Sequence, residues 1–131
     1  MKLSRHFKLE EFHCKDGTKY PEVWIPNMLK PMISELEEIR ALTNQPCIIV
    51  SGYRTKSYNS KVHGASKSQH IIGNAVDITL KGMTKVQLYK AICHLIKEGV
   101  IKQGGVGLYN THVHYDRRGT PARWNKSKWR V

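Results

Sequence analysis

Two short stretches of this sequence carry ionisable residues at spacings suited to chemistry. In SQHIIGNAVD, residues 68–77, a histidine precedes an aspartate that interrupts the apolar run AVDITL. In NTHVHYD, residues 110–116, two histidines and an aspartate alternate with other side chains. If residues 112–116 form a strand, His112, His114 and Asp116 point to one face, because side chains alternate along a strand. Burying such groups without partners would be costly, so they require an explanation.

Taken together, the two stretches predict a metal site. Zinc in proteins takes histidine nitrogen and carboxylate oxygen, and a catalytic zinc keeps three protein ligands and an open position. His70, Asp77 and one imidazole of the His112/His114 pair supply such a set. Each stretch alone has a structural interpretation, either a satisfied loop histidine near a strand aspartate or an edge-strand histidine pair without a ligand. Their combination is far more specific than either part.

The elements that must position these residues follow an α+β pattern. Apolar residues recur at spacings of three and four over residues 26–43 and 83–99, which predicts two amphipathic helices. A short helical turn is expected within residues 4–12. The runs CIIVSGY, AVDITL, GVGLY and HVHYD are typical of strands, with a tight hairpin at Asn110-Thr111. Residues 54–74 are rich in Ser, Lys, Asn and Gly and predict a long ordered loop of the kind that often carries function.

Composition limits the function classes. The 131 residues suit a single domain over residues 1–131, and 22 Lys and Arg against 10 Asp and Glu give a formal net charge of +12. Such a charge favours an anionic partner, which could be nucleic acid, anionic lipid or a bacterial envelope polymer. The sequence has no nucleic-acid-binding motif and no basic-aromatic stripe, so we expect no nucleic-acid partner.

Cysteine usage and hydropathy exclude further classes. Cys14, Cys47 and Cys93 are odd in number and lack CxxC spacing, which argues against a disulfide scaffold or a zinc finger. There is no apolar run of about 18 residues and no signal-peptide core, so we expect a protein made in the cytoplasm without a membrane span. Nothing in the sequence demands a partner subunit, and a monomer is expected.

The longest motif carries a family resemblance. SGYRTKSYNSKVHGASKSQHIIGNAVDI, followed by GGVGLYNTHVHYDRRG, resembles the zinc D-Ala-D-Ala carboxypeptidase-like family of peptidoglycan peptidases. That family shares its architecture with lysostaphin-type endopeptidases and the hedgehog domain. The likeness is to small stand-alone domains often encoded by phages and prophages. It implies an α+β fold, with a small antiparallel sheet flanked by helices, and one bound zinc ion.

The resemblance also implies roles for individual residues. The family's zinc ligands match His70, Asp77 and His114. Ser68 matches a small hydroxyl residue that sets the loop or touches substrate. Arg54 matches an arginine that faces the active site and holds a substrate carbonyl or carboxylate, and the oxyanion that develops from it.

At the position of the general base, this sequence departs from the family pattern. Carboxypeptidase members carry an acidic residue three positions before the last ligand, and here that position is Thr111, which cannot deprotonate water. His112 and Asp116 are the two candidates for the base, and Asp116 could instead orient an imidazole. Tyr109, just before the expected hairpin, could line the cleft with its hydroxyl and bind substrate.

The implied function is zinc-dependent hydrolysis of an amide bond in the peptide stem of bacterial peptidoglycan. The bond would be D-Ala-D-Ala, L-Ala-D-Glu or a cross-bridge, and the basic surface would favour anionic cell-wall polymers. An endolysin-like protein would reach the cell wall after release or delivery. The alternative is a non-catalytic, zinc-containing module of the same fold that binds the cell wall or belongs to a virion.

Overall fold

The computed structural model describes residues 1–131, and a five-stranded sheet in the order β1-β2-β4-β3-β5 lies at its centre. The strands are β1 (Cys47–Ser51), β2 (Ala75–Leu80), β3 (Gly105–Leu108), β4 (Val113–Asp116) and β5 (Ala122–Asn125). Neighbouring strands are antiparallel except for β3 and β5, which are parallel. The predicted α+β fold with a small antiparallel sheet is confirmed, and the parallel strand β5 is an addition that the sequence did not indicate.

Three α-helices accompany the sheet, α1 (Lys30–Arg40), α2 (Lys56–Lys61) and α3 (Lys85–Lys97). Helix α1 is therefore shorter than the helix predicted over residues 26–43. Residues Ile25–Leu29 form a wider π turn in which the Lys30 N–H donates to the Ile25 carbonyl, and Pro31 has no N–H to extend that pattern. The short turn expected within residues 4–12 is a 3-10 turn at Leu9–Phe12. No helix in the structure combines the length and apolar character needed to cross a bilayer.

The core lies between one face of the sheet and the helices α1 and α3. Thr84 starts α3 by accepting a hydrogen bond from the Gln87 N–H, while the Gln87 side chain accepts from the Thr84 N–H. The buried residues of α3 are Leu88, Ile92 and Ile96, and those of α1 are Met32, Ile33, Leu36 and Ile39. Their sheet partners are Val76, Ile78, Val106, Leu108, Val113 and Tyr115. The alternate residues of the same strands lie on the opposite face, which is therefore free for polar groups.

The segment 54–74 contains helix α2, whereas the sequence predicts an ordered loop without regular structure. Thr55 caps this helix by accepting from the Tyr58 N–H, and the buried Asn59 amide donates to the Ala65 carbonyl at 2.8 Å. After α2 the chain folds back, and the Arg54 N–H donates to the His70 carbonyl at 3.1 Å. This closure places His70 beside the ends of β1 and β2.

Candidate metal centre

Three of the predicted ligands converge on the polar face of the sheet. Asp77 on β2 is directly opposite His114 on β4, and His70 reaches the pair from the preceding loop. Asp77 Oδ1 lies 3.1 Å from His70 Nε2 and 3.2 Å from His114 Nδ1. All three residues are buried, and one ligand atom from each lies within 4.8 Å of the others. The structure thus brings together the ligand set that the resemblance implies.

The hydrogen bonds behind the two imidazoles leave the correct nitrogens free for a metal. His70 Nδ1 lies 2.7 Å from the Gly52 carbonyl, which only accepts, so Nδ1 donates to it, and Nε2, which lies beside Asp77, is the nitrogen that would bind a metal. His114 Nε2 lies 2.7 Å from Asp116 Oδ2, which leaves Nδ1 as the free nitrogen. Metal-binding histidines usually donate their other N–H to a carbonyl or carboxylate in this way. The donor set therefore fits a zinc ion.

Asp116 lies beneath His114 and is fully buried. Besides His114, its carboxylate accepts from the Gly105 N–H at 3.0 Å and from the Arg118 side chain at 2.9 and 2.8 Å. Burial raises the pKa of Asp116, but the bonds from Arg118 and His114 outweigh it and hold the pKa below its usual range. Asp116 is thus an ionised group whose oxygens already have partners, and it does not line the cleft.

Arg54 holds Asp77 from the other side. Its Nη2 donates to Asp77 Oδ2 at 2.9 Å, while Nε donates to Ser51 Oγ at 3.1 Å and Nη1 to Asn59 Oδ1 at 3.3 Å. Burial raises the pKa of Asp77, but the close approach of the His114 and His70 rings to its Oδ1 more than offsets this, so the net shift is downward. The sequence did not point to Ser51 or Asn59, because their role depends on how the loop closes.

His112 lies immediately before β4, at the edge of the cluster. Its Nε2 is 3.6 Å from Asp77 Oδ2, and its Nδ1 is 2.9 Å from Thr111 Oγ1. The ring stacks on Tyr109, with centroids 4.5 Å apart and planes 19° from parallel. Burial lowers the pKa of His112 more than the Asp77 charge raises it. A neutral imidazole therefore lies next to the candidate metal position.

Comparison with known proteins identifies the family. A family model described as Peptidase M15 matches residues 5–116, which is most of the chain. The chain belongs to the Peptidase M15 family. A search of curated proteins finds no match. M15 peptidases are zinc-dependent, so the match and the cluster of His70, Asp77 and His114 together indicate a zinc metallopeptidase.

In this M15 peptidase the cluster opens into a cleft of about 590 Å³. Ser68 and Tyr109 line it, and Ser68 Oγ accepts from the His70 N–H at 3.2 Å. The cleft is also lined by the basic residues Arg54, Lys67, Arg118 and Lys126, and its one acidic lining residue is Asp77. The walls therefore carry a net positive charge around the candidate ligands.

Two glycines of β3, which were not among the predicted site residues, make room for this site. A Cβ atom on Gly105 would lie 2.4 Å from Asp116 Oδ2, and one on Gly107 would lie 2.2 Å from Nε1 of Trp124. Glycine weakens a strand interior and often marks the close approach of another group. The pattern G-V-G within a predicted buried strand therefore indicates that other side chains approach β3 closely at these two positions. Arg118 and Trp124, which fill this space, both follow the segment matched by the M15 family model.

Proposed function

We propose that this M15 peptidase hydrolyses an amide bond in the peptide stem of bacterial peptidoglycan, with one zinc ion as cofactor. The observation that carries the proposal is the buried cluster of His70, Asp77 and His114 at an open, basic cleft with His112 beside it. The target is a D-Ala-D-Ala bond, an L-Ala-D-Glu bond or a cross-bridge, as the family resemblance implies.

His70, Asp77 and His114 would hold the zinc ion. When bound, zinc supplies Lewis-acid polarisation of the scissile carbonyl and lowers the pKa of the attacking water. The protein's own contribution is to hold the three ligands in place, through the Gly52 carbonyl behind His70 and Asp116 behind His114. Such supporting contacts raise ligand basicity and fix the orientation of the ring.

His112 is the proton acceptor in this proposal. Its imidazole lines the cleft, and its lowered pKa keeps it neutral near pH 7. If Nδ1 donates to the Thr111 hydroxyl, Nε2 carries no proton. Its lone pair, on the side of the ring that faces Asp77, can then accept one. Asp116 has no free oxygen facing the cleft, so we assign it the orienting role and not that of the base.

Arg54 and Tyr109 complete the set of polar groups around the substrate. A guanidinium has five N–H donors, and those of Arg54 that are not bonded to Ser51, Asn59 and Asp77 can stabilise the oxyanion that forms from the scissile carbonyl. The Tyr109 hydroxyl accepts from Trp124 Nε1 at 2.9 Å, which leaves its own O–H free to donate to substrate.

The charge of the cleft supports an anionic substrate. Lys67 and Lys126 line it without forming an ion pair, and the chain as a whole carries a formal net charge of +12. Stem peptides of peptidoglycan carry free carboxylates, and the surrounding wall polymers carry carboxylate and phosphate. A basic surface raises the local concentration of such material, which suits an endolysin-like protein acting at the cell wall after release or delivery.

The proposal is tested by digesting peptidoglycan of several chemotypes with the zinc-loaded protein. New amino groups are quantified, and the products are analysed by mass spectrometry to locate the bond that is cut. We expect release by the wild type, loss of release with a chelator, and recovery when zinc is restored. His112→Ala should reduce turnover with zinc still bound, whereas replacement of the exposed His94 should change neither.

Two results would contradict the proposal in different ways. A protein that binds zinc and sediments with cell walls, but releases no new amine from any chemotype, would be the non-catalytic module considered above. A protein that binds no zinc would remove the basis for either function.

A further inference from the structure

Trp124 on β5 contacts the site at several points, although it follows every candidate ligand in the chain. Its indole lies over Gly107, in the space that a Cβ atom would otherwise fill. Its ring centroid is 5.0 Å from that of His114, and the Arg118 guanidinium carbon lies 5.7 Å from the indole. Arg118 is in turn bonded to the buried Asp116. The indole is therefore a fixed wall of the cleft and not a loose aromatic of the tail.

A short chain of contacts leads from this wall to His112. The indole Nε1–H donates to the Tyr109 hydroxyl at 2.9 Å, and the Tyr109 ring stacks on the His112 imidazole at 4.5 Å. Tyr109 is also held through its backbone, because its N–H donates to the His112 carbonyl at 3.0 Å. Both ends of the Tyr109 side chain are thus fixed, and its ring forms a flat support for His112.

His112 needs such a support because little else restrains its ring. It precedes β4, is only partly buried, and forms one close side-chain hydrogen bond, to the exposed Thr111. An imidazole with so few contacts would exchange among rotamers, and each rotamer would direct Nε2 to a different place. Misplacement of a reacting group by about 1 Å can cost on the order of a hundredfold in rate.

We propose that Trp124 is a positioning residue, which fixes the His112 imidazole through its hydrogen bond to Tyr109. The catalytic consequence rests on the proposed function, but the positioning itself is a property of the folded chain. Trp124 acts through Tyr109 and does not donate or accept a proton in the reaction.

The test uses Trp124→Phe, Tyr109→Phe and the double variant, each in the full chain. Trp124→Phe keeps an aromatic ring over Gly107 but lacks the N–H, and Tyr109→Phe lacks the acceptor. Each should lower kcat between about ten- and a hundredfold at full zinc occupancy. The double variant should lose no more than Tyr109→Phe alone, because Tyr109→Phe already removes the Trp124 hydrogen bond together with the O–H proposed to contact substrate. Trp129→Phe is the matched control in the same tail and should leave kcat unchanged.

A second measurement does not depend on activity. The ring current of Tyr109 should move the His112 ring-proton NMR signals upfield, and His112→Gln identifies them by their disappearance. In zinc-free Trp124→Phe these signals should shift back toward those of an unstacked histidine, while Trp129→Phe leaves them in place.

Unmoved signals, or additive losses of kcat in the double variant, would overturn the proposal. If wild-type protein shows the stacked signals but no peptidase activity, the proposed function fails and the positioning stands. If Trp124→Phe does not fold, Tyr109→Phe decides by the His112 ring-proton signals, which the loss of a substrate contact does not move.

Discussion

Arg118 donates to both carboxylate oxygens of Asp116, from Nε at 2.9 Å and from Nη2 at 2.8 Å. The same carboxylate lies 2.7 Å from Nε2 of His114, on the side opposite the candidate metal position. A partly exposed cation is therefore connected to a candidate zinc ligand through one fully buried anion. This arrangement makes the ligand sensitive to changes in residues that never contact the metal.

Asp116→Asn should weaken zinc binding between about ten- and a hundredfold, a typical cost of losing such a supporting contact. The amide keeps the shape of the side chain but removes the charge that favours the His114 tautomer with Nδ1 free. Zinc affinity is measured by competition with a chromophoric chelator. Asp16→Asn, in an exposed loop, should leave the affinity unchanged. Equal affinities for wild type and Asp116→Asn would show that His114 needs no such support.

Arg118→Met should destabilise the zinc-free protein by about 2 kcal/mol, because it leaves the buried Asp116 charge without its ion-pair partner. This figure is below that for a fully buried pair, since the Arg118 side chain is 31% exposed. The free energy of unfolding is measured by urea denaturation. Combining Arg118→Met with Asp116→Asn should cost less than the sum of the single changes. Strict additivity would mean that the two groups do not stabilise each other.

Arg54→Lys should lower both zinc affinity and turnover, on the order of tenfold each, although the charge is kept. A lysine ammonium cannot donate at once to Ser51, Asn59 and Asp77 in the planar geometry that the guanidinium provides. Chelator competition and kcat are compared with those of Arg130→Lys, an exposed substitution that should match the wild type. Unaltered zinc binding with reduced kcat would limit Arg54 to a role in contacting the substrate.

Glu37→Gln should lower stability by about 1 kcal/mol at pH 7, and this loss should shrink as the pH falls below about 4. Burial raises the pKa of Glu37, but hydrogen bonds from Ser4 and His6 outweigh it, so the folded pKa is below the ordinary value. The stabilisation is therefore fully present above the unfolded pKa of about 4.3 and is lost as the pH falls through the lower folded value. The free energy of unfolding is measured by urea denaturation across this pH range, with the exposed Glu38→Gln as control. A deficit that did not shrink as the pH fell would exclude ionised Glu37 as its source.

Local patterns were sufficient to predict much of the fold. Helix α3 combines a Thr84/Gln87 capping box with an apolar face at regular spacing, and β2 is a short apolar run interrupted by Asp77 and Thr79. These signals lie within a few residues of each other. The same is true of His70 with Asp77 and of His114 with Asp116, so the candidate ligands could be found from spacing and family resemblance.

Features that depend on tertiary closure could not be found in this way. Helix α2 has only six residues and no apolar stripe, and it is held by the Thr55 cap and by Asn59 bonding across the loop. Strand β5 is a half-exposed edge strand with the polar sequence ARWN, which gives no strand signal. The partners of Arg54 and Arg118 come from several segments, and only the folded loop and sheet bring them together.

Strand β5 has a consequence for the order in which the site is made. During translation the nascent chain contains His70, Asp77 and His114 before it contains Arg118 and Trp124. Since β5 pairs only with β3, its addition to the sheet completes the cleft after the ligand-bearing strands exist. A ribosome that stopped shortly after Asp116 would release a chain with every candidate ligand and no aromatic wall. Such a chain would retain the residues matched by the family model and the Tyr109 ring, but lack the indole that donates to the Tyr109 hydroxyl.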